Sequence, residues 1–138
     1  MHTLSQTEKD HITSLISRVL SQDGRVIFAY IYGSFVCGTF FRDVDIFVYI
    51  RKDEDTFVTQ SGIRDNIYEA VINAGFHNIS IDDFDVRVIN DAPYDFVIDI
   101  LDKGMLLVDK NRELRTDYIE QISDQYRVNY FILDEAYQ

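Results

Sequence analysis

The chain has one cysteine (Cys37), one proline (Pro93) and no tryptophan in 138 residues. A single cysteine excludes an internal disulfide and fits a reducing, cytoplasmic compartment, with the thiol serving as a small packing residue. No apolar run approaches the roughly 20 residues that a membrane helix needs, and the N-terminus lacks the basic-then-apolar profile of a signal peptide. A soluble protein with no membrane partner is therefore expected. Basic residues are scarce, 13 Lys and Arg against 24 Asp and Glu, for a formal charge of −11. That balance argues against a nucleic-acid backbone as the main partner, which would call for a basic stripe. It leaves nucleotides open, because a metal ion can neutralise phosphates locally. His2, His11 and His77 show no metal-ligand spacing.

What is present is an ordered composition. Hydrophobic residues make up 46% and aromatics 14%, more than a disordered chain carries. The length suits one domain over 1–138 with a single core. Ser5-x-x-Glu8 reads as a capping box, ahead of a helix with Ile12, Leu15, Ile16, Val19 and Leu20 on one face, stopped by Gly24. Two short apolar runs, 25–32 and 43–50, read as strands buried on both faces, with about one and a half helical turns expected over 34–39. A helix over 55–74 is expected to bury Ile63, Ile67, Ala70, Val71 and Ala74. Residues 84–89 read as a third strand, with Asp85 and Arg87 on one face. Pro93 is placed as the first residue of a helix closed by Gly104. Met105 to Val108 reads as a brief extended piece, and from Asn111 one long helix is expected. The order implies an α/β (α+β) domain with helices packed on a small sheet, strand pairing being unreadable from the pattern.

The chemistry concentrates around two positions. Gly33-Ser34 closes the first strand, where backbone N–H groups and a hydroxyl offer a phosphate cradle. Asp43-x-Asp45 opens the second, and side chains two apart on a strand share a face with Cα atoms about 6.5–7 Å apart. Both carboxylates can thus face one metal site. Asp85, early in the third strand, is the candidate third ligand and the group to polarise or deprotonate an attacking hydroxyl; Asp83 ranks second and Asp82 competes. Metal-binding carboxylates beside a phosphate cradle point to phosphoryl or nucleotidyl transfer. Blander accounts exist for each residue. Gly33 can be a tight turn and Ser34 a helix cap. Asp43 and Asp45 can be a solvated strand entrance or pair with Arg42 and Arg51, and Asp85 can pair with Arg87.

Gly33-Ser34, an eight-residue linker, Asp43-x-Asp45 on an apolar strand and Asp85 on a later strand together resemble the DNA polymerase β-like nucleotidyltransferase superfamily. The chain's size resembles its minimal nucleotidyltransferases, which lack a separate substrate domain. The segments from Asp85 to Asn90, Ala92-Pro93 and Gly104 to Asp109 also look like that family. The resemblance implies a mixed sheet flanked by helices, triphosphate binding at Gly33 and Ser34, and two Mg²⁺ ions on Asp43, Asp45 and Asp85. Relatives often have basic or small residues after the Gly-Ser pair; here Phe35, Val36 and Cys37 follow, so Arg42 or Arg87 is expected to supply the cation. It further implies ATP as substrate, a helical HEPN-type ribonuclease toxin as partner, and an antitoxin that moves AMP onto a toxin tyrosine. Such a chain can be oligomeric.

Two other functions fit the same residues. One is a binding module that neutralises its partner by occlusion, for which the acidic surface and Tyr118, Tyr126, Tyr130 and Tyr137 on the last helix are suited. Core packing accounts for at least half of those tyrosines. The other is a small-molecule adenylyltransferase, disfavoured because no second domain holds the acceptor.

Overall fold

The computed structural model describes residues 2–33, 35, 40–41 and 43–136, with side chains described over 4–33, 35 and 43–128. The first helix, α1 (Gln6–Gln22), starts as its sequence dictates. Ser5 Oγ accepts from the Glu8 N–H at 3.1 Å and Glu8 Oε1 accepts from the Ser5 N–H at 3.0 Å, closing the capping box. Ile12, Leu15, Ile16 and Leu20 form its buried face.

Two strands follow, β2 (Val26–Tyr32) and β4 (Val44–Ile50), paired antiparallel. A short ribbon of β1 (His2–Thr3) and β3 (Phe40–Phe41) stands apart from the main sheet. The helical turns expected over 34–39 fall almost wholly outside the described residues. Helix α2 (Thr56–Asn73) is capped by Asp55, whose side chain accepts from the Val58 N–H. It buries Ile63, Ile67 and Val71, with Thr59 as the polar member of that face. Ala74, expected in the apolar stripe, is instead exposed as the C-cap.

After α2 the chain makes a 3-10 turn (Ile81–Asp83) and enters β5 (Phe84–Val88), parallel to β4. The helix is the crossover that a parallel pair requires. Pro93 is the N-cap, one residue before α3 (Tyr94–Lys103). The extended piece after Gly104 is a full sheet member, β6 (Met105–Asp109), antiparallel to β2. A Cβ at Gly104 would lie 2.5 Å from the Ile100 carbonyl and 3.3 Å from that of Ile31, so the tight passage from helix to strand needs glycine. Helix α4 (Arg112–Ala136) closes the chain, with Asn111 Oδ1 accepting from the Leu114 N–H at 3.0 Å.

The sheet order is β5-β4-β2-β6, with α1 and α2 on one face and α3 and α4 on the other. Alternation along β2 and β4 divides the core. Ala29, Ile31, Ile46 and Val48 pack toward α1 and α2, while Phe28, Tyr30 and Phe47 meet Val97, Ile100, Tyr118 and Ile122. This is an α/β fold with a mixed sheet flanked by helices. Tyr118 is buried and donates to the Ile89 carbonyl at 2.8 Å, whereas Tyr126 is 40% exposed. The side chains of Tyr130 and Tyr137 lie outside the described residues.

Candidate active site

Gly33 directly follows β2, Asp45 is the second residue of β4 and Asp85 the second of β5, so all three come to one end of the sheet. Register places them side by side: Asp45 is the Cα partner of Tyr32 on β2 and of Asp85 on β5. Strand parity puts Asp45 with Phe47 and Tyr49 on the face toward α3 and α4. Asp43, of the same parity, is exposed just before the strand.

Gly33 holds φ at +96°. That left-handed backbone turns the chain at the strand end and suits glycine. A Cβ there would stand 2.9 Å from Asp45 Oδ2, so the bare backbone and the carboxylate sit against each other. Ser34 and Arg42 lie outside the described residues.

The electrostatics follow from this crowding. Burial, followed by the charges of Asp85 and Asp43, raises the Asp45 pKa above the ordinary aspartate value, with Arg87 partly opposing. Asp85 pairs with Arg87 at 3.1 Å, the pairing expected of Asp85 on the blander account. Arg51 turns to Asp53 at 3.8 Å. Asp83 is committed elsewhere, its Oδ2 accepting from the Ser80 N–H at 2.8 Å in the 3-10 cap. Among the described residues, no group of three or more His, Cys, Asp or Glu side chains is arranged to hold a metal ion. In kind the donors fit a hard cation: carboxylate oxygens in a field that already penalises the negative charge on Asp45.

Sequence reasoning missed the support behind Asp45. Tyr32 donates its hydroxyl to Asp99 on α3, and Lys103 completes the group at 3.2 Å from Asp99. The Tyr32 hydrogen bond, then Lys103, lowers the Asp99 pKa. Tyr32 also meets Phe47 edge-on, and Phe47 meets Phe96 of α3. These contacts join the strand flanking Asp45 to the covering helix. The i,i+4 spacing of Asp99 and Lys103 was readable; their meeting with Tyr32, 67 residues away, was not.

The model of the "Polymerase beta, Nucleotidyltransferase" family matches residues 15–113, a span that holds Gly33, Asp43, Asp45 and Asp85. The chain belongs to the polymerase beta nucleotidyltransferase family. No curated protein sequence matches it. Solved structures similar in fold include a toxin–antitoxin crystal structure with AMP-PNP, at TM-score 0.63 and 17% identity over 91% of this chain and 98% of the other. The MntA-HepT toxin-antitoxin structure matches at TM-score 0.57 and 14% identity, over 97% and 100%. A tri-AMPylated Shewanella oneidensis HEPN toxin in complex with MNT antitoxin matches at TM-score 0.57 and 15% identity, over 98% and 100%. At such identities the likeness establishes the shared nucleotidyltransferase fold. Among the described residues no helix is long and apolar enough to cross a membrane.

Proposed function

We propose that this nucleotidyltransferase-family chain is a single-domain cytoplasmic antitoxin that moves AMP from ATP onto a tyrosine hydroxyl of a HEPN-type toxin. The observation that carries the reading is the registration of Asp45 beside Asp85, under the field of Asp43 and against the bare turn of Gly33. The AMP-PNP complex and the tri-AMPylated toxin among the fold's neighbours support ATP as donor and a toxin as acceptor.

In this scheme the backbone at Gly33, with Ser34, binds the triphosphate. Asp43, Asp45 and Asp85 would hold Mg²⁺, which when bound supplies charge neutralisation of the phosphates and the transition state. Asp85 takes the proton from the attacking hydroxyl. Arg87 orients Asp85 and, with Arg42, brings positive charge to a site otherwise dominated by acids. Tyr32, held by Asp99, fixes the strand edge beside Asp45.

Labelled AMP should appear on a co-expressed HEPN partner and be lost with Asp43→Asn plus Asp45→Asn; undiminished transfer in that double variant defeats the scheme. Occlusion without catalysis is the second reading, favoured by the ion pair that already engages Asp85 with Arg87 at 3.1 Å. It requires the double variant to keep neutralising the toxin in cells.

A further inference from the structure

Two hollows meet at Asp85 along the outer edge of the sheet. The larger, of about 670 Å³, lies toward α3 and is walled by Arg87, Pro93 and Phe96. The smaller, of about 220 Å³, lies toward α2 and is walled by Phe57, Ser61 and Arg64. Gln60, Asp85 and Val86 line both. β5 is the edge strand between them, yet its edge is closed to strand addition at both ends. Gln60 Oε1 accepts from the Val88 N–H at 2.9 Å, and the Phe84 N–H bonds to the Ile81 carbonyl. A segment docking here is therefore held by its side chains. The smaller hollow has a cation in its wall. The Nε of Arg64 is buried and has no hydrogen-bond partner, although the chain carries 24 acidic residues. A buried, unpaired N–H of this kind costs free energy until an acceptor meets it. At the rim Phe57 is 75% exposed and its neighbour Val58 61%, while Phe96 in the larger hollow is 40% exposed.

Exposed aromatic and apolar side chains around an Arg are the composition of a protein-binding surface, and the group that satisfies a guanidinium N–H best is an anion. Asp85 in the same wall opposes a doubly charged phosphate more strongly than a singly charged carboxylate. A chain of net charge −11 also repels an acidic segment over most of its surface, so a cation in one recess gives such a segment a single place to dock. We propose that the outer edge of β5 is an acceptor-docking surface, on which Arg64 selects an acceptor tyrosine that has an acidic side chain beside it. The carboxylate enters the smaller hollow and accepts from Arg64 Nε, and Phe57 and Val58 cover the apolar flank of the docked segment. The tyrosine ring occupies the larger hollow against Phe96, its hydroxyl toward Asp85. This surface rests on the nucleotidyl-transfer reading above and gives that reaction its choice of acceptor.

Calorimetric titration of the chain with its co-expressed HEPN partner, purified, tests this, with the modified tyrosine mapped by mass spectrometry. Arg64→Met should weaken the complex roughly tenfold or more while leaving the KM for ATP unchanged, and Arg64→Lys should restore part of the affinity. Its urea midpoint should equal or exceed that of wild type, because the variant removes a buried unsatisfied group. Neutralising the acidic residue beside the partner's tyrosine should cost the same factor with the wild-type chain and nothing further with Arg64→Met. Phe57→Ser, at an exposed position, should also weaken the complex. Unchanged affinity in Arg64→Met overturns the surface, as does a modified tyrosine with no acidic neighbour. Fully additive losses overturn it too, because Arg64 then meets some other group. A fall in the urea midpoint of Arg64→Met that accounts for the lost affinity makes the residue structural and overturns it as well. If the wild-type chain transfers no AMP at all, the nucleotidyl-transfer reading fails, and the affinities of the Arg64 and Phe57 variants still decide the docking surface.

Discussion

Oδ2 of Asp45 occupies the space that any side chain at position 33 would need, 2.9 Å from where a Cβ would stand. Gly33→Ala therefore acts twice. Its φ of +96° is disfavoured for an L-residue by about 1–2 kcal/mol, and the added methyl forces the Asp45 carboxylate to turn. Urea denaturation should show a loss of about 1–2 kcal/mol. AMP transfer should fall by more than that loss explains, because a site carboxylate has been displaced. A variant with full stability and full transfer would show that the turn relaxes freely.

A second prediction concerns the far end of the same strand. Asn90 acts as an extra pairing partner for Ile50: its Oδ1 accepts from the Ile50 N–H at 2.9 Å and its Nδ2 donates to the Ile50 carbonyl at 2.6 Å. Asn90→Ala leaves two part-buried backbone groups without these partners, at about 1–3 kcal/mol. Asn90→Asp keeps the acceptor but turns a carboxylate oxygen toward a carbonyl, so it should be at least as destabilising. The urea midpoint should fall with the slope m unchanged. A midpoint equal to wild type in both variants would mean that water replaces the amide without cost.

The contrast between these residues shows what the sequence made legible. Ser5 with Glu8, the apolar face from Ile12 to Leu20, and Asp43 and Asp45 on one strand face are local patterns, set by periodicity and capping within a few residues. Asp85 was legible because charge at the start of an apolar strand is costly without a role. The register that brings Asp45 between Tyr32 and Asp85 joins segments far apart in the chain, and nothing local encodes it. The same holds for β6, whose Met105 and Leu106 are exposed at 42% and 38%. A strand with so little burial lacks the alternation that announces one. Tyr32 with Asp99 and Asn90 with Ile50 are likewise products of tertiary pairing.

The last prediction follows from the raised Asp45 pKa. Its causes are burial first, then the charges of Asp85 and Asp43. Folding thus makes the carboxyl hold its proton more tightly than in the unfolded chain. Between the ordinary value of 3.8 and the raised folded value, the folded state binds more protons, so this group's contribution to stability falls as pH rises through that window. Above it the charged carboxylate is a constant penalty. Asp45→Asn should accordingly raise the melting temperature at neutral pH, with the advantage shrinking as pH falls and gone below the ordinary aspartate value. Adding MgCl₂ at neutral pH should narrow the gap from the other side, stabilising wild type more than Asp45→Asn because a cation offsets the repulsion only where the charge exists. Thermal melts of both proteins across pH 3.5–7.5, with and without MgCl₂, measure these effects together. A variant less stable than wild type at neutral pH would mean that Asp45 is satisfied by contacts that outweigh the acidic field around it.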